Sequence, residues 1–225
     1  MSNTPRLTVS ACFHRRINVK NEITISQFIK SYWNYYLELE EQLIQTKRFV
    51  DFDVSNYKTF SIEYLKLLQA TCSEIDVVAK IIAEKFDPTF SKLDNKNIQK
   101  WGFVIQNHFD DIQIKKVNFL NDYYITPWQN WMYEQYTDKN DRIRYRLTSG
   151  AETPHWWTAY NKVKHERTSH YQKGKTNYCR ANLENLISAM AALFVLETLF
   201  IELLNKGDNI GDNINIVSSS LFELE

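Results

Sequence analysis

The 225-residue chain is 44% hydrophobic, 24% charged and 14% aromatic, and its 27 basic side chains balance 27 acidic ones. This composition excludes collagen-like, low-complexity and highly charged disordered chains and is typical of a single globular domain. The neutral total also argues against a coat of non-specific positive charge, but it conceals two opposed blocks. Residues 142–180 carry nine Lys and Arg against two Glu, a net charge of +7, whereas residues 181–225 have a net charge of −6.

Three features bear on where the protein is located. The N-terminus lacks the apolar core of a secretory signal. The longest nearly uncharged run, Leu186–Leu196, is too short to span a bilayer. The three cysteines are an odd number without close spacing, which fits reduced thiols. We therefore predict a soluble, cytoplasmic protein that does not contact a membrane.

Two long N-terminal helices are predicted from apolar residues at helical spacing. The first covers residues 25–49 and carries glutamates on the face predicted to be wet, and the second covers residues 57–86. Helices of this kind pack antiparallel. A third, shorter helix is predicted over residues 95–108, with Asp94 as its N-cap.

Residues 111–150 change in character and predict a small β-containing insertion between the third and fourth helices. Near its end, charged and apolar residues alternate strictly. This alternation places Arg142, Arg144 and Arg146 on one face of a strand, with apolar side chains on the other.

The three strand arginines allow two interpretations. Together with nearby aromatic residues they would bind a single-stranded nucleic acid by charge and base stacking. The aromatic residues concerned are Trp128, Trp131 and Tyr145. Alternatively, the strand lies at the edge of a sheet, where its charges keep it soluble and pair with nearby acids.

Two more helices are predicted in the C-terminal third. Thr153 and Pro154, an N-cap hydroxyl followed by a proline, begin a fourth helix that reaches Thr168. The last helix, over residues 182–205, is apolar almost all round and therefore belongs in the middle of a bundle. Residues 207–225 are predicted to form a loop-rich tail with one late extended piece near residues 214–221. The predicted fold is one mainly α domain, an up-and-down bundle of four to five helices with a small β insertion.

The fourth helix carries the densest set of reactive side chains. Asn161 and His165 are i, i+4 neighbours on one of its faces. An imidazole that titrates near neutrality beside an amide is a candidate acid/base group, and Lys164 and Arg167 are candidates to stabilise phosphorane charge. The alternative is a packed helix, rich in Trp and Tyr, with a solvated basic end.

The segment from Trp156 to Arg167, Trp-Trp-Thr-Ala-Tyr-Asn-Lys-Val-Lys-His-Glu-Arg, and the apolar helix after it resemble the C-terminal half of bacterial HEPN-like proteins. HEPN domains are the helical "higher eukaryotes and prokaryotes nucleotide-binding" bundles. Their signature is Arg, a polar residue that is often Asn, a few variable residues and then His. Asn161 and His165 match the Asn and the His, and Tyr160 stands at the position of the Arg.

The resemblance implies a HEPN-like bundle, usually a homodimer in which the two motif helices meet, and a metal-independent endoribonuclease of a toxin–antitoxin or antiviral defence system. The implied catalytic positions are His165 as general acid/base, Asn161, which orients it or the RNA 2′-hydroxyl, and Tyr160. Lys164, Arg167 and Arg144 would neutralise phosphate. The implied partners are RNA, a second copy and an antitoxin or defence-system protein, and no metal or cofactor is expected.

Tyr160 also motivates a second hypothesis of a different class. A phenol cannot bind phosphate through two parallel hydrogen bonds, as the arginine of the signature does. The alternative function is therefore a catalytically inactive HEPN-like bundle that serves as a protein-interaction or ligand-sensing module.

Overall fold

A computed structural model of the protein describes residues 23–120, 123–208 and 216–225. The segment with the first cysteine, in which no secretory signal was expected, lies outside the described residues, as do residues 209–215 of the predicted tail. The second predicted helix begins five residues later than predicted and ends at the predicted residue, and the first ends three residues earlier than predicted.

The described helices, numbered in chain order, include one composite element. Helix α1 runs without a break through an α segment, a π-helical turn and a second α segment. The bounds are α1, Ile25–Phe28, Ile29–Trp33 and Asn34–Thr46; α2, Ile62–Phe86; α3, Ile98–Gln106; α4, His155–Glu166; and α5, Leu183–Asp208.

The strands of the described residues are short and pair only antiparallel. The strands are β1, Val117–Phe119; β2, Tyr123–Ile125; β3, Tyr133–Thr137; β4, Ile143–Leu147; β5, His170–Gln172; β6, Lys175–Thr176; and β7, Phe222–Leu224. One sheet has the strand order β2-β1-β7, and β3–β4 and β5–β6 are separate hairpins.

The prediction of a mainly α bundle of four to five helices is wrong. The described structure is about 53% helical and 14% strand in three small sheets, which is a mixed α/β fold. The strands predicted within residues 111–150 are present, but β5, β6 and β7 lie outside that insertion. In the central sheet, Phe119 of β1 is opposite Phe222 of β7. Two- and three-residue strands are too short to show a period of two, and so distant a pairing leaves no local signal in the sequence.

Side-chain caps explain where the first and third helices begin. Thr24 and Gln27 form a capping box at the start of α1, where each backbone N–H donates to the other residue's side-chain oxygen (3.0 and 3.3 Å). Helix α3 begins after Asn97, whose Oδ1 accepts a hydrogen bond from the N–H of Lys100 (3.2 Å). Asp94 is therefore not the N-cap that the sequence predicted.

Helix α5 is the central helix, as its sequence predicts. It is buried on nearly every face and contacts α1, α2, α4 and β7. By length and composition alone, the longer helix Leu183–Lys206, which contains the nearly uncharged run Leu186–Leu196, is apolar enough to cross a membrane. However, 83% of the apolar window is buried inside the protein, as in the core helix of a soluble protein.

The predicted insertion belongs to the same core. Trp128 and Trp131 are completely buried, and the Trp128 indole N–H donates to the carbonyl of Ala192 in α5 (3.2 Å). Trp131 packs on Trp101 of α3, with 5.6 Å between ring centroids. Gly102 allows this approach, because a Cβ there would lie 2.5 Å from Cζ2 of Trp131. The insertion is therefore fixed to the helices by close aromatic packing.

One buried carboxylate holds the C-terminal residues against α1. Glu40 is 2% exposed and accepts four hydrogen bonds. The donors are the hydroxyls of Tyr36 (2.8 Å) and Ser219 and the backbone N–H groups of Ser220 (2.8 Å) and Leu221 (3.4 Å). These bonds bring the chain to the start of β7. The end of the predicted loop-rich tail is therefore an integral part of the fold.

We expect Glu40→Gln to lower the free energy of unfolding by about 1.5–3 kcal/mol, because hydrogen bonds to a charged acceptor are lost and an amide NH₂ is placed against backbone donors. Glu38→Gln is the matched control, since Glu38 is exposed on the same helix. Urea denaturation of both variants measures the effect. Equal stability of the two variants would contradict the role assigned to Glu40.

Candidate functional site

The side chains predicted as a catalytic cluster on α4 have different surroundings in the described structure. Tyr160 is buried and its ring packs on Trp157, with 5.3 Å between centroids. Lys164 covers Tyr160: its Nζ lies 3.2 Å from the Tyr160 hydroxyl, to which it donates, and 5.2 Å from the ring centroid. Tyr160, which stands at the position of the arginine in the HEPN signature, is therefore buried in the core. Its hydroxyl accepts a hydrogen bond from Lys164.

Asn161 and His165 are not joined by a hydrogen bond in the described structure. The Asn161 amide donates to the carbonyl of Trp157 one turn earlier (3.1 Å), so its side chain is bonded to its own helix. His165 is exposed. The imidazole is thus accessible to a ligand, but the described part of one chain provides no side chain that orients it.

The chain after α4 folds back onto the C-terminal end of that helix. The carbonyls of Glu166 and Arg167 accept hydrogen bonds from the Asn177 side-chain amide (2.9 Å) and from the N–H of Tyr178 (3.0 Å). Asn177 and Tyr178 begin the 3₁₀ turn Asn177–Arg180, which follows the β5–β6 hairpin. These bonds satisfy helix carbonyls that otherwise lack partners and fix the hairpin beside the basic end of α4.

Five cations lie on this folded-back unit without a carboxylate within 4.0 Å among the described residues. They contrast with Lys162, which pairs with Glu166 (3.0 Å). We define the α4–hairpin surface as these five cations and the exposed ring of Tyr171: Lys164, Arg167, Tyr171, Lys173, Lys175 and Arg180.

Tyr171 is the aromatic member of the α4–hairpin surface, and its ring is partly covered. The guanidinium of Arg180 lies 4.1 Å from the ring centroid, and its Nε donates to Oδ1 of Asn177 (3.0 Å). Tyr171 is still 43% exposed. The candidate residues predicted from the sequence do not include Tyr171, Lys173, Lys175 or Arg180, although the three cations belong to the +7 block. Only the fold-back of the hairpin sets them beside α4.

The strand arginines are arranged as the edge-strand interpretation expects. Arg144 pairs with Asp138 (2.9 Å) and Arg146 pairs with Glu134 (2.7 Å) across the β3–β4 hairpin. Arg142 is exposed in the turn before β4. Neutralisation by adjacent acids leaves Arg144 and Arg146 less charge to offer a polyanion.

The aromatic part of the nucleic-acid interpretation is wrong for two of its three residues. Trp128 and Trp131 are completely buried and cannot stack on a base. Tyr145 packs on Phe103, with 5.2 Å between centroids. Within the described residues, no group of three or more His, Cys, Asp and Glu is placed to hold a metal ion.

Comparison of the chain with protein-family models, curated proteins and solved structures gives no match. The resemblance to HEPN-like proteins therefore stays a prediction, based on the residues of α4 and α5.

A buried carboxyl on α5 is the most perturbed acid in the described core. Neither oxygen of Glu197 has a hydrogen-bond partner among the described residues. Burial raises the pKa of Glu197 well above its ordinary value, and the nearby carboxyl of Glu74 on α2 raises it further. The folded protein consequently keeps this carboxyl protonated at pH values where the unfolded chain releases the proton.

We expect Glu197 to make the protein less stable as the pH rises. Between the pKa of Glu197 in the unfolded chain and its raised pKa in the folded protein, the folded state binds more protons, so the free energy of unfolding falls with pH, by up to about 1.4 kcal/mol per pH unit. Glu197→Gln should remove this slope, as measured by urea denaturation at a series of pH values. Glu202→Gln, at an exposed position of the same helix, should keep it. An unchanged slope in Glu197→Gln would refute the assignment.

Proposed function

We propose that this chain is a cytoplasmic protein that binds RNA through the α4–hairpin surface. The observation that carries the proposal is the set of five cations with no carboxylate partner among the described residues. Phosphate oxygens would be the negatively charged partners of these cations, which have no carboxylate partner among the described residues. Contacts between cations and phosphates dominate the affinity of proteins for nucleic acids. The unpaired cysteines Cys72 and Cys179 support a reducing compartment such as the cytoplasm.

Single-stranded RNA is the form of RNA that the surface fits best. The exposed ring of Tyr171 can stack on an unpaired base, which is not accessible in a duplex. Arg180 restrains that ring from one side, which reduces the entropy lost when a base binds. Lys173 and Lys175, which lie in the same hairpin as Tyr171, are exposed and available for phosphates.

The resemblance to HEPN-like ribonucleases adds a catalytic proposal. In it, the exposed His165 moves the proton of the RNA 2′-hydroxyl or of the leaving oxygen, and Lys164 and Arg167 neutralise the phosphate. Tyr160 is a positioning residue for Lys164, since it is buried and accepts that lysine's hydrogen bond. Homodimerisation and an antitoxin or defence-system partner belong to the same proposal.

RNA binding is tested by fluorescence anisotropy with a labelled single-stranded RNA over a range of salt concentrations. We expect the double variant Lys173→Gln/Lys175→Gln to bind more weakly and to lower the slope of log affinity against log salt by about 1.4, since each phosphate contact to a single strand contributes about 0.7. Arg144→Gln/Arg146→Gln is the matched control, because both arginines are paired with acids. An equal loss in the control, or no binding by the wild type at low salt, rejects the proposed surface.

Cleavage is tested separately, with the same RNA and EDTA in the buffer. We expect the wild type to cleave it and His165→Ala to bind it without cleaving, because the variant lacks the proton-transfer group. Gln172→Ala, at an exposed position of the hairpin, is the control for a non-specific surface effect. Equal cleavage by wild type and His165→Ala, or cleavage by neither, removes the ribonuclease proposal and leaves RNA binding to be judged by anisotropy.

One observation favours the alternative function, a catalytically inactive protein-interaction module. Phe49 is 87% exposed, more than any other large apolar side chain of the described residues, and it lies beside a groove between α1 and α2. Under this alternative, His165→Ala would have no effect on partner binding, and the partner would bind at the apolar surface around Phe49.

A further inference from the structure

A groove of about 580 Å³ lies where the end of α1 meets the start of α2. Phe49 stands at its edge, 87% exposed, so its ring does not fill the groove. The groove walls are formed by Gln42, Gln45, Thr46 and Val50 from the α1 side and by Ser61, Glu63 and Tyr64 from the α2 side, where Glu63 pairs with Lys66 (2.8 Å). An apolar knob and a partly apolar hole are therefore next to each other on one surface of the molecule.

Opposite charges lie on the exposed surface beside this groove. Glu38 and Glu41 lie toward the middle of α1, and Lys47 and Arg48 lie in the turn that follows its last residue, Thr46, just before Phe49. All four are exposed, and none forms an ion pair within 4.0 Å among the described residues. The two glutamates accept hydrogen bonds only from the neutral amides of the groove residues one turn on. Glu41 lies one turn before Gln45 on α1, and the Arg48 N–H donates to the carbonyl of Gln45 (3.4 Å), so both charges lie on the chain close to Gln45.

We infer that a second copy of this chain docks on this groove. Two α1 helices run antiparallel about a two-fold axis near Gln45, and Phe49 of each copy enters the groove of the other. Such an axis brings Arg48 of one copy beside Glu41 of the other, because these residues lie at similar distances on either side of Gln45. A contact in which each copy supplies the same knob and hole is isologous and closes at a dimer.

The second copy is favoured over a different protein because the surface is complementary to itself in both shape and charge. Burial of Phe49 also removes the largest exposed apolar side chain of this face from water twice in each dimer. The inference is independent of RNA binding, since none of these residues belongs to the α4–hairpin surface. It also differs from the dimer implied by the HEPN-like resemblance, in which the copies of α4 meet.

The test is the oligomeric state of the full chain, measured by size-exclusion chromatography with light scattering over a range of concentrations. We expect a wild-type dimer and a dissociation constant at least about a hundredfold higher for Phe49→Asp, because two buried rings are lost. Ile114→Asp is the matched control: Ile114 is 74% exposed in the turn between α3 and β1, and the variant should stay a dimer.

Charge reversal tests the orientation of the two copies. Arg48→Glu alone and Glu41→Arg alone should each weaken the dimer, and the double variant should restore it, because the reversed charges meet again across the axis. A monomeric wild type overturns the inference and leaves the groove to a partner of other chemistry. A dimer that survives Phe49→Asp, dissociates equally with Ile114→Asp, or is disrupted only by Arg167→Glu on α4 also overturns it.

Discussion

The rest of the structure depends on covering α5. A 26-residue helix that is apolar on almost every face is unfavourable wherever it meets water, by roughly 25 cal/mol per Å² of apolar surface, and helices α1, α2 and α4 all pack against it. The insertion and the C-terminal strand also contact α5. The insertion contributes Trp128, which donates to a carbonyl of α5, and the C-terminal strand contributes Phe222, whose ring lies 5.9 Å from Phe194. The buried carboxyl of Glu197 is the exception on this helix, and its protonation reduces the cost of burying it.

A second constraint joins the two ends of the described chain. Glu40 is buried between α1 and residues 219–221, where backbone and hydroxyl donors replace the water that a carboxylate loses on burial. The strand that follows adds to β1 of the insertion, so α1, the insertion and the C-terminus are packed as one body around α5. This arrangement explains why a chain with the periodicity of a helical bundle has a mixed α/β fold.

The two parts of the basic block, residues 142–180, differ in whether their cations are paired with acids. Its first part lies on the β3–β4 hairpin, where Arg146 pairs with Glu134 of the facing strand and Arg144 pairs with Asp138 of the connection between the strands. Its second part surrounds the end of α4, where Glu166 already pairs with Lys162 and no described acid serves the other cations. Cations at a helix C-terminus are also favourable to the helix itself, so this surface contributes to stability whether or not it binds RNA. Local charge balance, not the neutral total, therefore identifies the candidate site.

The sequence by itself determined the long helices, the central position of α5 and the presence of strands within residues 111–150, because each depends on a periodic pattern over many neighbouring residues. It also located the excess positive charge. Only the tertiary structure decided that Tyr160 points into the core beneath Lys164, that Trp128 and Trp131 are unavailable to a ligand, and that β7 completes a sheet begun about a hundred residues earlier. These outcomes depend on which residues, distant in sequence, are in contact in the folded chain. Those contacts are determined by which apolar side chains are buried against α5. A local pattern shows that a side chain is apolar or charged, but not which partner it will find.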